Sequence, residues 1–295
     1  MAFVSCIILL TASLSPSDIK AQHSLEEILR TPEKQIFLRE SGYSDLEVDQ
    51  EGNIYLLWPE KHKLIKLFKL SDYDSIQTIG GKGMAREGFN FPSKIVVPNR
   101  QSIFLLDQMN RRIMQFNTNL KIIDDVNFLT LEIPGESETQ LWPISFAVGP
   151  AGDLFLLNQE DLRVYKITPD GILERTFGGL DFGAGSVQEP WDLTINENNM
   201  VFCIDSTNQE VLQFDLFGTF RSRIAPTLPF RWHHMVAVER ALVFVGTHEL
   251  HYFDWRSLNG TTVSLGQPAK VLDLAMGRDY LYLLFENRVD LYPLK

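Results

Sequence analysis

Six short apolar runs recur along this chain: NIYLL (53–57), SIFLL (102–106), DLFLL (153–157), MVFCI (200–204), LVFVG (242–246) and YLYLL (280–284). With Ile54, Ile103, Leu154, Val201, Val243 and Leu281 taken as equivalent, the spacings are 49, 51, 47, 42 and 38 residues. A helical solenoid has similar periods but needs apolar residues at helical spacing, which these runs lack. Before each run stands another short strand: DLEV (45–48), KIVV (94–97), SFAV (145–148), DLTI (192–195), MVAV (235–238) and DLAM (273–276). The connections DQEGN, PNRQS, GPAGD and NENNM carry the residues that tight hairpins require. After each run comes a third strand with an apolar pair three apart, as in Ile113/Phe116, Val164/Ile167 and Val211/Phe214. A strand alternates by two, so this step predicts a bulge or strand end. Fourth strands are less regular, and SIQTIG, LERTFG and FRSRIA are the clearest. Several short strands per unit of this length predict the blades of a β-propeller.

The count is six, so the expected fold is all-β, a six-bladed β-propeller. The chain ends at Lys295, just after the third strand of the sixth unit, and Gln35–Glu40 is an isolated strand before the first. The economical expectation is that this N-terminal strand completes the last blade, removing open sheet edges. Residues 35–295 are then one domain, preceded by a lead-in segment at 22–34. Met1–Leu14 is an apolar run of export-signal length, too short to span a bilayer comfortably, with cleavage expected after Ala21. No other stretch can span a membrane as a helix. The expected location is therefore periplasmic, cell-surface or secreted. Cys6 lies inside the signal run, which leaves Cys203 as the single thiol of the mature chain, read as a buried structural residue. The net charge of −11 argues against nucleic acid as a partner.

The stretch Gly80–Asn117 resembles the NHL repeat, through Gly80, Gly81, Gly83, Gly88, Phe91, Pro92, Asp107, Asn110, Arg112 and Ile113. The fourth unit repeats the pattern in part, with Gly178, Gly179, Gly183, Gly185, Pro190, Asp205, Asn208 and Val211, and the third keeps Trp142-Pro143, Asn158 and Arg163-Val164. The fifth and sixth units depart from it. The resemblance implies an NHL-type propeller of the kind found in exported bacterial proteins. Such propellers host binding proteins, scaffolds, lyases and lactonases, so the fold does not carry the function.

The glycine cluster at 80–83 is not a phosphate loop, because it lacks the G-x-x-x-x-G-K-[ST] pattern between strand and helix. Asp107/Asn110 and Asp205/Asn208 have the spacing of side chains that cap their own turn. Candidate function falls instead on the starts of the innermost strands. Three residues before Val48, Val97, Val148, Ile195, Val238 and Met276 stand Asp45, Lys94, Ser145, Asp192, Met235 and Asp273, with His233 and His234 beside them. In a propeller these positions surround one mouth of the axial channel. Asp45, Lys94, Asp192, His233, His234 and Asp273 are therefore the candidate ligand-binding residues, able to meet a small polar ligand or a hard cation. No catalytic residue is assigned, because no nucleophile–base pattern accompanies any of the histidines. No cofactor is expected, with a divalent cation as the one candidate. The functional expectation is a monomeric, non-enzymatic module that binds a protein or small polar ligand. The alternative is a metal-dependent lyase or hydrolase, lactonase-like, at the axial mouth. The metal set to which that resemblance points includes a Glu, and none stands at the equivalent positions.

Overall fold

The structure, a computed structural model, describes residues 25–98, 101–131, 140–205, 207–238, 241–255, 259–266 and 270–294. The expected export signal lies outside the described residues. No helix among those described is long and apolar enough to cross a membrane. The fold is a six-bladed β-propeller, nearly all β, built of six four-stranded antiparallel sheets. Blade 1 comprises Asp45–Val48, Ile54–Trp58, Lys63–Leu67 and Ile76–Gly80. Blade 2 comprises Pro92–Val96, Ser102–Asp107, Arg112–Asn117 and Ile122–Asn127. Blade 3 follows with Pro143–Val148, Leu154–Asn158, Arg163–Ile167 and Leu173–Gly178. Blade 4 is Pro190–Ile195, Met200–Asp205, Glu210–Asp215 and Phe220–Ile224. Blade 5 is His234–Ala237, Ala241–Val245, Glu249–Asp254 and Asn259–Ser264. Blade 6 takes Val271–Met276, Tyr280–Phe285 and Arg288–Pro293 and receives its outer strand, Lys34–Phe37, from the N-terminal side.

The chain divides into two compact units, Tyr43–Pro226 with blades 1–4, and Met1–Gly42 with Thr227–Lys295, which holds blades 5 and 6. In both, the core lies between neighbouring blades. Ile103 and Leu105 pack with Tyr55 and Leu57 of blade 1, while the alternate residues Phe104 and Leu106 pack with Phe146 and Leu156 of blade 3. Successive side chains of a strand point to opposite faces, so a strand covered on both faces reads as a continuous apolar run. That is the physical origin of the six recurring runs. In the smaller unit the turn of helix Leu25–Ile28 adds Leu25 and Ile28 to the apolar cluster of blades 5 and 6. The final blade closes as expected: Lys34–Phe37 pairs antiparallel with Arg288–Leu291, and Gln35 Nε2 donates to Asp290 Oδ1 at 3.1 Å.

The expected third-strand bulge is not found: in blades 2, 3 and 4 the third strand is regular, and the extra residue lies on the fourth strand, at Ile123, Glu174 and Arg221. The fourth strands of blades 2 and 5 gave little sequence signal because an outer strand buries one face at most. Ile122–Asn127 carries Asp124 and Asp125 outward, the kind of charge that discourages edge-to-edge pairing.

The NHL-like junction is held by a buried ion pair. Arg112 Nε donates to Asp107 Oδ2 at 2.9 Å, and Asn110 Nδ2 reaches the same oxygen at 2.7 Å. Asp107 Oδ1 accepts from the Asn90 amide at 2.6 Å, while Arg112 also donates to the carbonyls of Ala85 and Gly88 at 3.1 and 2.6 Å. One carboxylate thus ties the glycine loop to the hairpin; contrary to expectation, it caps no backbone amide of the turn that follows it. Gly80 is required in that loop: its φ is +94°, and a Cβ there would meet the His62 carbonyl and the Phe89 ring at 2.5 Å. Blade 4 uses another solution, with Glu210 paired to Arg223 of the outer strand, whose guanidinium donates to the carbonyls of Ala184 and Ser186. Of the two phenylalanines near Pro92, Phe89 is the core residue, edge-to-face with Phe116 at 6.3 Å, and Phe91 is exposed. Cys203 is fully buried and burial pushes its thiol up, consistent with a structural role.

Two outcomes are expected from these contacts. Arg112→Met leaves the Asp107 carboxylate buried without its cation, so stability falls by about 3 kcal/mol, read as a lower urea midpoint. His251 is packed between Phe244 and Phe253 and held below its ordinary value by burial. As pH falls, the unfolded chain takes up that proton first. The His251 contribution is therefore full above about pH 6.5 and declines below it. His251→Gln should shrink the stability difference measured between neutral and mildly acidic buffer.

Candidate functional site

The inner strands position the candidate side chains through a repeated irregularity. Against the second strand, the register of the first shifts between Pro92/Lys94, Pro143/Ser145, Pro190/Asp192 and Val271/Asp273. Each shift falls immediately before a candidate position, and a bulge of this kind re-aims the side chain that follows it. Lys94, Ser145, Asp192 and Asp273 pair with Leu106, Leu157, Ile204 and Leu284. Asp45, which begins its strand, holds the same place opposite Leu57.

In blade 5 the equivalent residue is His234, paired with Val245; Met235 pairs with Phe244 and is a buried core residue. The sequence alignment was therefore one residue out there. The reason is the turn: the Val238 amide bonds the Ala241 carbonyl at 2.9 Å, a tighter connection than that from Asp49 to Asn53 in blade 1. The inner strand ends at Ala237, not Val238. The signal that identifies this is burial alternation, since HMVA and DLEV share the same half-buried/buried pattern.

Within the Tyr43–Pro226 unit the structure brings Lys94, Ser145 and Asp192 together. The Lys94 ammonium donates to Ser145 Oγ at 3.0 Å, to the Leu193 carbonyl at 2.6 Å and to Asp192 Oδ1. The Ser145 hydroxyl donates to Asp192 Oδ1 at 2.5 Å and accepts from the Leu193 amide at 3.1 Å. All three Lys94 N–H bonds have acceptors, which is the full capacity of the group. Ser145 is buried, and an ammonium so occupied offers it no lone pair as a base. The cluster therefore joins blades 2, 3 and 4. Asp45 acts similarly between blades 1 and 2, with Oδ2 accepting from the Ile95 amide at 2.6 Å and Oδ1 from Leu46 at 3.0 Å.

In the smaller unit, His234 Nε2 lies 2.8 Å from Asp273 Oδ1, which also accepts from the Leu274 amide at 2.7 Å. His234 is 22% exposed at its side chain and Asp273 is buried. His233 points elsewhere, its Nε2 lying 3.0 Å from the Val271 carbonyl; burial, then the charges of Lys270 and His234, hold it below its ordinary value. Among the described residues no three His, Cys, Asp or Glu side chains come together as a metal-binding group.

A double-mutant cycle measures the Lys94 cluster. Lys94→Met and Asp192→Asn should each destabilise the protein, and the urea-derived losses should be non-additive by roughly 1–3 kcal/mol. Additive losses would mean that the pair does not join the blades.

No protein-family model and no curated protein sequence matches the chain. Solved structures do resemble it. Virginiamycin B lyase from Staphylococcus aureus shares 13% identity over 89% of this chain and 99% of that chain, with a TM-score of 0.61. A gluconolactonase from Xanthomonas campestris shares 12% over 88% of each chain, at 0.63. YCF48 bound to D1 peptide shares 9% over 90% of this chain and 96% of that chain, at 0.60. Two enzymes and a peptide-binding protein at such low identities establish one thing in common with this chain, the β-propeller fold.

Proposed function

We propose that the protein is a non-enzymatic, exported propeller of the NHL type that binds a protein or small polar ligand on one face. The observation that carries this reading is the saturation of Lys94. Its ammonium, Ser145 and Asp192 satisfy one another, so the polar groups at the inner strands of blades 2–4 serve the scaffold rather than a reaction. Export is supported by the apolar run at Met1–Leu14. The NHL type is supported by the Asp107–Asn110–Arg112 junction, which gives each motif residue a defined bond. Among the similar folds, YCF48 bound to D1 peptide is an instance of a propeller used for binding.

One observation favours a second reading. His234, half-buried and oriented by the buried Asp273, has the arrangement of a general base held by a carboxylate. The similar folds of a lyase and a gluconolactonase accommodate an enzyme of that kind.

Melting in the presence of Mg²⁺, Ca²⁺, Mn²⁺ or Zn²⁺ separates the two. The binding-module reading expects no cation to shift the wild-type transition. A stabilising shift abolished by Asp273→Ala, each variant being compared with and without the ion, would overturn it in favour of a metal-dependent enzyme.

A further inference from the structure

Asn259 is the one asparagine of the chain followed directly by glycine. The pair opens Asn259–Ser264, the outermost strand of blade 5, and both residues are exposed. Packing, not backbone angle, requires the glycine. A Cβ on Gly260 would run into the His251 ring and come within 2.9 Å of the Tyr252 carbonyl. His251 Nδ1 lies 2.7 Å from Thr262 Oγ1, which fixes that ring over the strand. The fold therefore keeps a residue without a side chain directly after an exposed asparagine.

Register fixes where the Gly260 amide points. Antiparallel partners alternate between pairs that exchange hydrogen bonds and pairs that do not. The Leu265 amide donates to the His248 carbonyl at 2.9 Å, which makes those two a bonded pair. Along the register from there, Tyr252↔Thr261 and Asp254↔Asn259 are bonded pairs and Phe253↔Gly260 is not. The far side of Glu249–Asp254 agrees: the Gly246 amide donates to the Glu249 carbonyl at 2.8 Å, so Phe253 bonds toward Leu242. Asn259–Ser264 ends its sheet among the described residues, so the Gly260 N–H points outward from the edge. The chain's one Asp-Gly pair, Asp170-Gly171, differs, because the Gly171 amide donates to the Thr168 carbonyl at 2.9 Å.

We infer that Asn259 is a site of spontaneous deamidation and isomerisation. The Gly260 amide nitrogen, losing its proton to base, attacks Asn259 Cγ; a C–N bond forms and the side-chain nitrogen leaves as ammonia. Water then opens the five-membered imide at either carbonyl, giving aspartate or isoaspartate. The net change is one water gained and one ammonia lost, with no oxidant or reductant. The end of an edge strand opens at little free-energy cost, which lets Asn259 leave the extended backbone that hinders ring closure. Either product sets a carboxylate opposite Asp254, where like charges repel. Isoaspartate also lengthens the backbone by one bond and disturbs the pairing that follows. The outer strand of blade 5 therefore loosens as the protein ages, whatever the axial mouth binds.

The test incubates the folded full chain in mildly acidic and in alkaline buffer and maps its tryptic peptides by mass spectrometry, with enzymatic methyl labelling of isoaspartate. The amide-to-acid mass gain should appear first at Asn259, as separate aspartate and isoaspartate forms, and several-fold faster in alkali. Its rate should lie within about tenfold of that of a capped peptide of residues 257–263. Hydrogen exchange should be at least about tenfold faster at the Gly260 amide than at the Thr261 amide. Asn259→Gln, which would need a larger and less favoured ring, should end the labelling. Asn259→Asp should lower the melting temperature, and Asp254→Asn should remove that loss. Faster conversion at another asparagine, a slower folded-chain rate than stated, a protected Gly260 amide, or an Asn259→Asp protein as stable as wild type overturns the inference. So does a sugar on Asn259, because Asn259-Gly260-Thr261 is also a glycosylation acceptor and a substituted amide does not leave as ammonia.

Discussion

The structure depends on strands that are buried on both faces. Within Tyr43–Pro226 the second strand of blade 2 gives alternate side chains to blades 1 and 3, as Leu105 and Leu106 do. Such a strand cannot be stable in an isolated sheet, because its apolar side chains would leave water on one face only. The same constraint explains why blade 6 takes its outer strand from the distant segment Lys34–Phe37: three strands would leave Arg288–Pro293 as an unpaired edge.

Polar groups follow the apolar packing from blade to blade. Lys66 of blade 1 donates to the Thr118 carbonyl of blade 2 at 2.6 Å, and burial lowers its affinity for the proton although Asp49 and Glu51 oppose that effect. Lys166 of blade 3 lies 5.8 Å from the Phe217 ring of blade 4. At the inner strands, Asp45 and the Lys94–Ser145–Asp192 cluster repeat the device. Charges that a sequence presents as candidate ligands are thus spent within the scaffold. The loops between blades accept insertions and aromatic residues at little cost to the core. Strain is tolerated there as well. His62, Arg111, Leu162 and Gln209 all adopt positive φ just before their third strands, where the hairpin geometry demands it, and Phe91 adopts it beside a proline in a loop tied by the bonds of Phe89 and Asn90.

The sequence by itself determined the blade count, the approximate place of most inner, second and third strands, and the use of an N-terminal strand to finish the last blade. Two-sided burial and tight turns leave a periodic trace that needs no knowledge of distant contacts. It also marked Asp107 and Asn110 as paired polar residues of one turn, but not their bonds to Asn90 and Gly83 in the preceding loop. Only the tertiary structure decided what Lys94 and Asp192 do, because their bonds join residues almost a hundred positions apart. It likewise decided that His234 rather than Met235 holds the inner position of blade 5, that Phe89 rather than Phe91 fills the core, and that blade 4 draws its loop-binding arginine from the outer strand. Each of these turns on register or on a long-range partner, and a shift of one residue exchanges the buried and exposed faces of a strand without changing its composition.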